Sequence, residues 1–118
     1  MSTQEVANRF YELAQQNNWE GIYDELYSAD ASSIEPDDSL GLPTVHGMDK
    51  IREKGKLWNS MIEEMHGGYC NAPQAAGNYF TLTMGMEATM KGKGHTKMDE
   101  VCLYEVKNGK IVKEQFFF

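Results

Sequence analysis

The sequence predicts an α+β fold in which helices come first and a mostly antiparallel sheet follows. Apolar residues recur at helical spacing through most of the first 65 residues, which is typical of amphipathic helices. The pattern then changes to alternation over residues 66–118, which is typical of strands with one buried face. Near the end, Asn108-Gly109 separates two alternating runs, and Asn-Gly is a strong hairpin signal. Helices followed by such strands indicate a curved sheet wrapped around helices.

Two short helices open the chain. Ser2 and Glu5 have the spacing of a capping box, in which each side chain accepts a hydrogen bond from the other residue's backbone N–H. The apolar stripe after it is Val6, Phe10 and Leu13. Asn17-Asn18 ends this helix at about Gln16 and caps a second one. The stripe of the second helix is Trp19, Ile22 and Leu26.

A strand, a loop and a third helix follow. Residues 31–35 alternate weakly and stop at Pro36, which predicts a strand, and the turn formers of residues 37–43 predict a loop. Residues 44–46 predict a brief second strand. Gly47 opens a long third helix, whose inner stripe is Ile51, Trp58, Ile62 and Met65. Gly55 falls on that stripe, where its lack of a side chain leaves a gap that would help to define a cavity.

The second half of the chain is dominated by strands. The pattern of residues 66–73 predicts a strand weakened by glycine, and that of residues 79–90 predicts a long strand. The long strand carries one apolar face, which consists of Phe80, Leu82, Met84, Met86 and Ala88. Lys91–Gly94 makes the turn into the final hairpin. We expect the apolar face to be buried.

The Asn108-Gly109 turn predicts a register for the last two strands. If these two residues form the loop, Lys107 faces Lys110, and facing residues share one side of the sheet. One predicted face is apolar with acids set in it: Asp99, Val101, Leu103, Val112, Glu114, Phe116 and Phe118. A carboxyl group among apolar side chains is costly unless it is protonated, paired or next to a cavity. This face is therefore the predicted wall of a functional pocket.

Composition excludes several classes of function. A chain of 118 residues can bury one core, so we expect a single domain over residues 1–118. A net charge of −7 disfavours nucleic acid and anionic membranes as partners, because both attract basic surfaces. The chain has no apolar run of about 18 residues, and residues 1–6 lack the basic start of a secretory signal. The expected location is cytoplasmic.

We expect neither a metal nor a cofactor. Cys70 and Cys102 are far apart and show no CxxC spacing, which suits reduced thiols in the core. The three histidines show no HxH or HxxxH spacing, and the Lys91–Gly94 segment lacks the pattern of a phosphate-binding loop.

The order of elements and several short segments resemble the nuclear transport factor 2-like superfamily, and within it the SnoaL-like and ketosteroid isomerase-like proteins. The segments are Arg9–Leu13, Ala29–Ala31, Val45–Gly47, Ile51–Gly55, Met98–Val101 and Ile111–Phe116. The resemblance covers nearly the whole chain. It implies a cone-shaped, cystatin-like fold in which three helices close a pocket against a strongly curved sheet, and often a homodimer through the outer face of that sheet.

The resemblance also implies catalytic residues. Glu35 stands where ketosteroid isomerases have the carboxylate that moves a proton between carbons. Asp99 stands where they have a protonated carboxyl group that donates to the oxyanion. The tyrosine that completes this oxyanion hole is matched by Phe10, which has no hydroxyl. Glu114 stands at a position that lines the isomerase pocket.

The expected pocket is apolar. Methionines in its wall would adapt to several ligands, and a histidine at the mouth could take part in acid–base chemistry. The residues expected to contact a ligand are Phe10, Trp58, His66, Leu82, Met84, Met86, Val101, Phe116 and Phe118.

Two functions remain open on the sequence alone. One is a cofactor-free isomerase or cyclase acting on a hydrophobic carbonyl compound, with Glu35 or Glu114 as the base and a neutral Asp99 as the hydrogen-bond donor. The other is a non-catalytic ligand-binding or dimerisation domain. Both imply a hydrophobic small molecule as partner. The mixed apolar surface that Cys102, Tyr104 and Phe117 would expose on the outer sheet face predicts a homodimer.

Overall fold

The computed structural model describes residues 1–36 and 41–118, and it has three helices and seven strands within these ranges. The helices are α1 (Thr3–Gln15), α2 (Trp19–Leu26) and α3 (Met48–Ser60). The strands are β1 (Tyr27–Ile34), β2 (Val45–His46), β3 (Ile62–Cys70), β4 (Gln74–Ala76), β5 (Tyr79–Met90), β6 (Gly94–Lys107) and β7 (Lys110–Phe117). The predicted α+β class is confirmed.

The strands form one curled sheet in the order β2-β1-β7-β6-β5-β3, with β4 paired to β5. Neighbouring strands are antiparallel except for β1 and β7, which run parallel. The helices cover one face of this sheet, so the chain forms the predicted α+β cone. No helix in the described ranges is long and apolar enough to cross a membrane.

The first two helices begin as their sequences predict. The Ser2 hydroxyl accepts from the Glu5 N–H at 3.1 Å, and the Glu5 carboxylate accepts from the Ser2 N–H at 2.8 Å, which completes the capping box. The Asn18 side chain caps α2 by accepting from the Gly21 N–H at 2.9 Å. Apolar residues of both helices are buried in the core, namely Val6, Phe10, Leu13, Ile22 and Leu26.

Helix α3 is shorter than predicted. It ends at Ser60, and Ile62 and Met65 lie in β3 and pair with β5. The spacing of these two residues from Trp58 fits a helix, but cross-strand pairing with β5 overrides that local pattern. Strand β1 also starts earlier than predicted, at Tyr27, and strand β4 was not predicted. Part of the predicted loop, residues 37–40, lies outside the described residues.

A β-bulge changes the register of the final hairpin. Asn108 and Gly109 both have positive φ, at 52° and 74°, as a type I′ turn requires. Beyond the turn, however, Glu105 faces Lys113. Val112 is therefore an extra residue on β7, and every later pair shifts by one position.

The shift reverses the predicted faces of β6. Glu114 and Phe116 keep their place beside the helices, but they face Tyr104 and Cys102 on β6. Phe118 and Glu100 line the same cavity. The prediction that Asp99, Val101 and Leu103 share a face with Glu114 is wrong, because a slip of one residue turns a whole strand over.

The outer sheet face also differs from its prediction. Tyr104 and Cys102 are 1% and 0% exposed and belong to the core, whereas they were expected on the outer face. Phe117 lies on the outer face as expected, and Val101 joins it, with both residues 46% exposed. The outer face therefore still carries exposed apolar surface.

Candidate functional site

A cavity of about 630 Å³ lies between the helices and the sheet. Its volume is in the range of small-molecule sites. Residues from all three helices and from strands β5, β6 and β7 line it. Its aromatic lining includes Phe10, Trp19, Tyr23, Tyr27, Trp58, Tyr104, Phe116 and Phe118. Met84, Met86 and Met98 supply an adaptable apolar wall.

Three carboxyl groups and one ammonium group meet in the inner part of this cavity. The carboxyl groups belong to Glu35 after β1, Glu100 on β6 and Glu114 on β7, and the ammonium group belongs to Lys54 on α3. The charges of these groups act on one another, since Glu35 raises the pKa of both Glu100 and Glu114. The site therefore holds more carboxyl groups than the single lysine can neutralise.

Glu114 is the most enclosed of the three acids. It is 5% exposed, and it accepts hydrogen bonds from the Tyr27 hydroxyl and, at 2.6 Å, from the Ser33 hydroxyl. Burial raises its pKa, while the two hydrogen bonds and the Lys54 charge act in the opposite direction. Both carboxylate oxygens have partners, so the side chain is held in one position.

Glu35 is held by an ion pair. Lys54 Nζ lies 2.7 Å from Glu35 Oε2, and the two side chains are 7% and 6% exposed. The ammonium group also donates to the Ser33 carbonyl at 3.4 Å and lies 5.8 Å from the centre of the Phe116 ring. A buried lysine is tolerated because it is paired and hydrogen-bonded.

Glu100 is the most loosely held of the three acids. It is half-buried and faces Met84 across the sheet. Burial, the charge of Glu35 and the charge of Glu114 raise its pKa to about 7, against a hydrogen bond from the Cys102 thiol. No basic side chain in the described ranges forms an ion pair with it. At neutral pH Glu100 can therefore either take up or release a proton.

Most of the predicted site residues line this cavity. They are Glu35 and Glu114 among the acids, and Phe10, Trp58, Met84, Met86, Phe116 and Phe118 among the expected ligand contacts. Phe10 also belongs to the core, where it contacts the rings of Phe80 and Tyr104. The structure thus places Glu35, which follows β1, and Glu114 of β7 in the lining of one cavity.

Asp99 and Val101 are on the wrong side of the sheet for the predicted pocket. Asp99 is exposed and accepts a hydrogen bond from the Tyr69 hydroxyl at 2.5 Å. Neither residue lines the cavity. The placement of Asp99 in the pocket wall is therefore wrong, because the bulge at Val112 directs the next residue, Glu100, inward instead.

His66 and Leu82 also lie outside the cavity lining. His66 is exposed on the sheet, where its Nε2 lies 2.7 Å from the Thr89 hydroxyl and its ring stacks on His95 at 5.4 Å. Leu82 is 3% exposed and packs in the core. In the described part of the chain, no group of three or more His, Cys, Asp or Glu residues could hold a metal ion.

Sequence reasoning missed Glu100 and Lys54. For Glu100 the available signal was charge. Without a bulge Glu105 would face Val112, whereas a bulge places it opposite Lys113 and puts Glu100 on the same face as Glu114. For Lys54 the signal was spacing, since it lies three residues after Ile51 and therefore on the inner stripe of α3.

Comparison with known proteins agrees with this architecture. A model of the SnoaL-like domain matches residues 1–118. The chain belongs to the SnoaL-like family. The family predicted from short segments of the sequence is thereby confirmed. Among solved structures, this SnoaL-like chain is similar to a candidate SnoaL-like polyketide cyclase [carbohydrate phosphatase] from Mesorhizobium loti, with 34% identity, a TM-score of 0.92 and 100% of each chain covered.

More distant structures share the fold of this SnoaL-like protein. TerC, co-crystallised with polyporic acid, is 19% identical with a TM-score of 0.76, over 98% of this chain and 90% of that one. A protein with a ketosteroid isomerase-like fold from Catenulispora acidiphila, in complex with trimethylamine, is 18% identical with a TM-score of 0.72, over 97% and 85%. No curated protein matches the sequence.

Proposed function

We propose that this SnoaL-like protein binds a hydrophobic carbonyl compound in its cavity and moves a proton at the carbon next to the carbonyl, without a cofactor. The observation that carries the proposal is Glu100, a carboxyl group with a pKa of about 7 in the wall of a largely aromatic cavity. A general base works best when its pKa is near the working pH. The polyketide cyclase name of the Mesorhizobium loti relative supports the same class of ligand.

Glu100 is the base in this proposal. The sequence suggested Glu35 or Glu114, but Glu35 is paired with Lys54 and both oxygens of Glu114 accept hydrogen bonds. Their charges keep the pKa of Glu100 high, so they act on the reaction through the base. Asp99 has no role in the proposal, since its carboxyl group faces away from the cavity.

The proposed proton transfer needs only the Glu100 carboxyl group and the bound carbonyl compound. The Glu100 carboxylate takes a proton from the carbon beside the carbonyl, and the electron pair of that C–H bond forms an enolate. Where a carbon–carbon double bond is conjugated with the enolate, the protonated Glu100 returns the proton to the far carbon of that system. The carbonyl group forms again and the double bond moves into conjugation with it, which isomerises the compound. Alternatively, the enolate carbon attacks a second carbonyl carbon, which closes a ring, and the new alkoxide takes the proton from Glu100.

A binding protein without chemistry is the second candidate. It is favoured by the partners of Glu35 and Glu114, which satisfy these acids without any substrate. In that case the cavity would hold a hydrophobic small molecule, and Glu100 would only set the pH dependence of binding.

Deuterium exchange separates the two candidates. We would incubate 2-tetralone with the protein in D₂O and follow exchange beside the carbonyl by NMR, while tryptophan fluorescence reports binding. Glu100→Gln should slow exchange by about 10²–10⁴-fold, the usual contribution of a general base. The matched control is Asp99→Asn, which removes the neighbouring acid from the outer face and should exchange like the wild type. Binding without exchange in the wild type would favour the second candidate.

We also propose that two copies associate through the outer sheet face. Val101 and Phe117 are each 46% exposed there, and Tyr69 is 44% exposed. Val101 faces Phe117 directly across β6 and β7, so these two side chains form one continuous apolar surface. A two-fold axis through it would bury the same residues on both copies.

A further inference from the structure

The hydroxyl of Tyr23 is an uncommitted donor in the cavity wall. Four tyrosines border the cavity, and two of them use their hydroxyls elsewhere: Tyr27 donates to Glu114, and Tyr69 donates to Asp99 on the outer face of the sheet. Tyr104 is 1% exposed and contacts the Cys102 thiol. Within residues 1–36 and 41–118, the Tyr23 hydroxyl has no hydrogen-bond partner.

The ring of Tyr23 is nevertheless fixed. The rings of Tyr23 and Tyr27 form a T-shaped pair with their centres 5.1 Å apart at an angle of 85°. The Arg52 guanidinium lies 5.4 Å from the centre of the Tyr23 ring. Arg52 is itself held by Asp24 at 2.7 Å and by Glu20. A hydrogen-bond donor that is held in place before the ligand arrives needs little free energy to reorganise when the ligand binds.

Helix α3 leaves open space beside this hydroxyl. The space is next to Gly55, which also lines the cavity. A Cβ atom built at Gly55 would lie 3.7 Å from the Tyr23 hydroxyl oxygen, in ordinary contact distance. Glycine therefore keeps free a position from which a ligand atom could accept a hydrogen bond from Tyr23.

The hydroxyl also keeps its proton. Burial, together with the charges of Glu114 and Glu20, raises the pKa of Tyr23 well above its ordinary value, and the Arg52 charge opposes this only in part. Throughout the pH range in which Glu100 ionises, Tyr23 remains a donor.

We propose that Tyr23 donates a hydrogen bond to the carbonyl oxygen of the bound compound, in the space beside Gly55. The inference rests on the proposed function, for which it names the group that stabilises the oxygen. When Glu100 removes the proton from carbon, negative charge moves to that oxygen. Tyr23 shares its proton with the oxygen without transferring it, so the proton balance stays between Glu100 and the ligand. Tyr23 would therefore serve as the donor to the oxyanion, a role that Phe10 cannot fill because it lacks a hydroxyl and that Asp99 cannot fill because it faces outward.

The test uses two probes and the variant Tyr23→Phe. Binding of 2-naphthol, whose oxygen imitates that of an enolate, should weaken by about 10-fold or more, as expected for the loss of a hydrogen bond to a strongly accepting oxygen. The rate constant for 2-tetralone exchange at saturation should fall by about 10²–10³-fold, the usual cost of one oxyanion donor. The matched control is Tyr79→Phe, which removes an exposed hydroxyl outside the cavity lining and should change neither value.

A second variant tests the space without removing the hydroxyl. Gly55→Ala favours the helix, so the protein should fold, but its methyl group would lie 3.7 Å from the Tyr23 hydroxyl oxygen and would crowd the space proposed for the ligand oxygen. Affinity for 2-naphthol should fall by about 10-fold or more. Unchanged affinity in either Tyr23→Phe or Gly55→Ala would overturn the inference.

Failure of the inference differs from failure of the proposed function. If the wild type exchanges 2-tetralone and Tyr23→Phe exchanges it equally fast, the proton transfer stands and the role of Tyr23 is overturned. If the wild type shows no exchange but 2-naphthol binding depends on Tyr23 and Gly55, the hydrogen bond is supported and the catalytic proposal is wrong.

Discussion

Glu105 faces Lys113 across the final hairpin, and Lys113 Nζ lies 4.0 Å from Glu105 Oε1. The pair lies next to the bulge at Val112, on the side away from the turn. From there to the end of the hairpin, β6 presents its even-numbered residues to the helices. Glu100 therefore enters the cavity, and its neighbour Asp99 lies on the outer face.

Stability should fall as the pH rises through the range in which Glu100 ionises. Its pKa is raised from 4.5 to about 7 in the folded protein, so folding favours the protonated form. The stabilisation is complete below about pH 4.5 and is lost as the pH approaches about 7. Glu100→Gln should therefore unfold at a higher urea concentration than the wild type at pH 8. Its free energy of unfolding should be larger by on the order of 2–3 kcal/mol, and this difference should shrink at pH 4.5. Equal pH dependence in both proteins would contradict a buried, desolvated Glu100.

Loss of the Tyr27 hydroxyl should destabilise the protein. Tyr27→Phe leaves one oxygen of the buried Glu114 carboxyl group without its donor, and an unsatisfied buried polar group costs about 1–3 kcal/mol. Urea unfolding at pH 7 would measure the change. The control is Tyr79→Phe, whose hydroxyl makes only an exposed hydrogen bond of 3.5 Å to Glu105 and should stay close to the wild type. A similar loss in both variants would mean that the bond to Glu114 is not the cause.

The ion pair of Lys54 and Glu35 should show strong coupling. Lys54→Met leaves a buried carboxylate without its partner, which typically costs about 3–5 kcal/mol. Adding Glu35→Gln should restore much of the stability, since the unpaired charge is then gone. The exposed pair Lys50–Glu53 at 3.4 Å is the control, and Lys50→Met should cost less than about 1 kcal/mol. Additive effects of the two cavity substitutions would refute the coupling.

A charge on the outer sheet face should disrupt the proposed dimer. Val101→Asp places a carboxylate at the centre of the apolar surface that Val101 and Phe117 form, so both copies would bury a charge on association. Light scattering at micromolar concentration should show a dimer for the wild type and a monomer for the variant. Leu57→Asp is the matched control, because it changes an apolar residue of α3 that is 43% exposed away from the sheet. A monomeric wild type would end this proposal.

The sequence by itself determined the local structure of the chain. The Ser2–Glu5 capping box, the Asn18 cap and the Asn108-Gly109 turn each depend on residues within a few positions of one another. Their outcome needs no knowledge of the rest of the fold. Short segments also indicated the family, and the resemblance implied Glu35 and Glu114 as candidate pocket residues.

Only the tertiary structure decided which acid of β6 enters the cavity. The turn alone makes Glu105 face Val112, and nothing within the hairpin forbids that register. The register with a bulge is favoured because it places Phe116, rather than Gln115, opposite the buried Cys102 and against the core, and that gain comes from packing against elements distant in sequence. The boundary between α3 and β3 was decided in the same way, by pairing with β5. Burial of one whole face of the sheet therefore selected Glu100, whereas the local pattern within the hairpin offered only the pairing of Glu105 with Lys113.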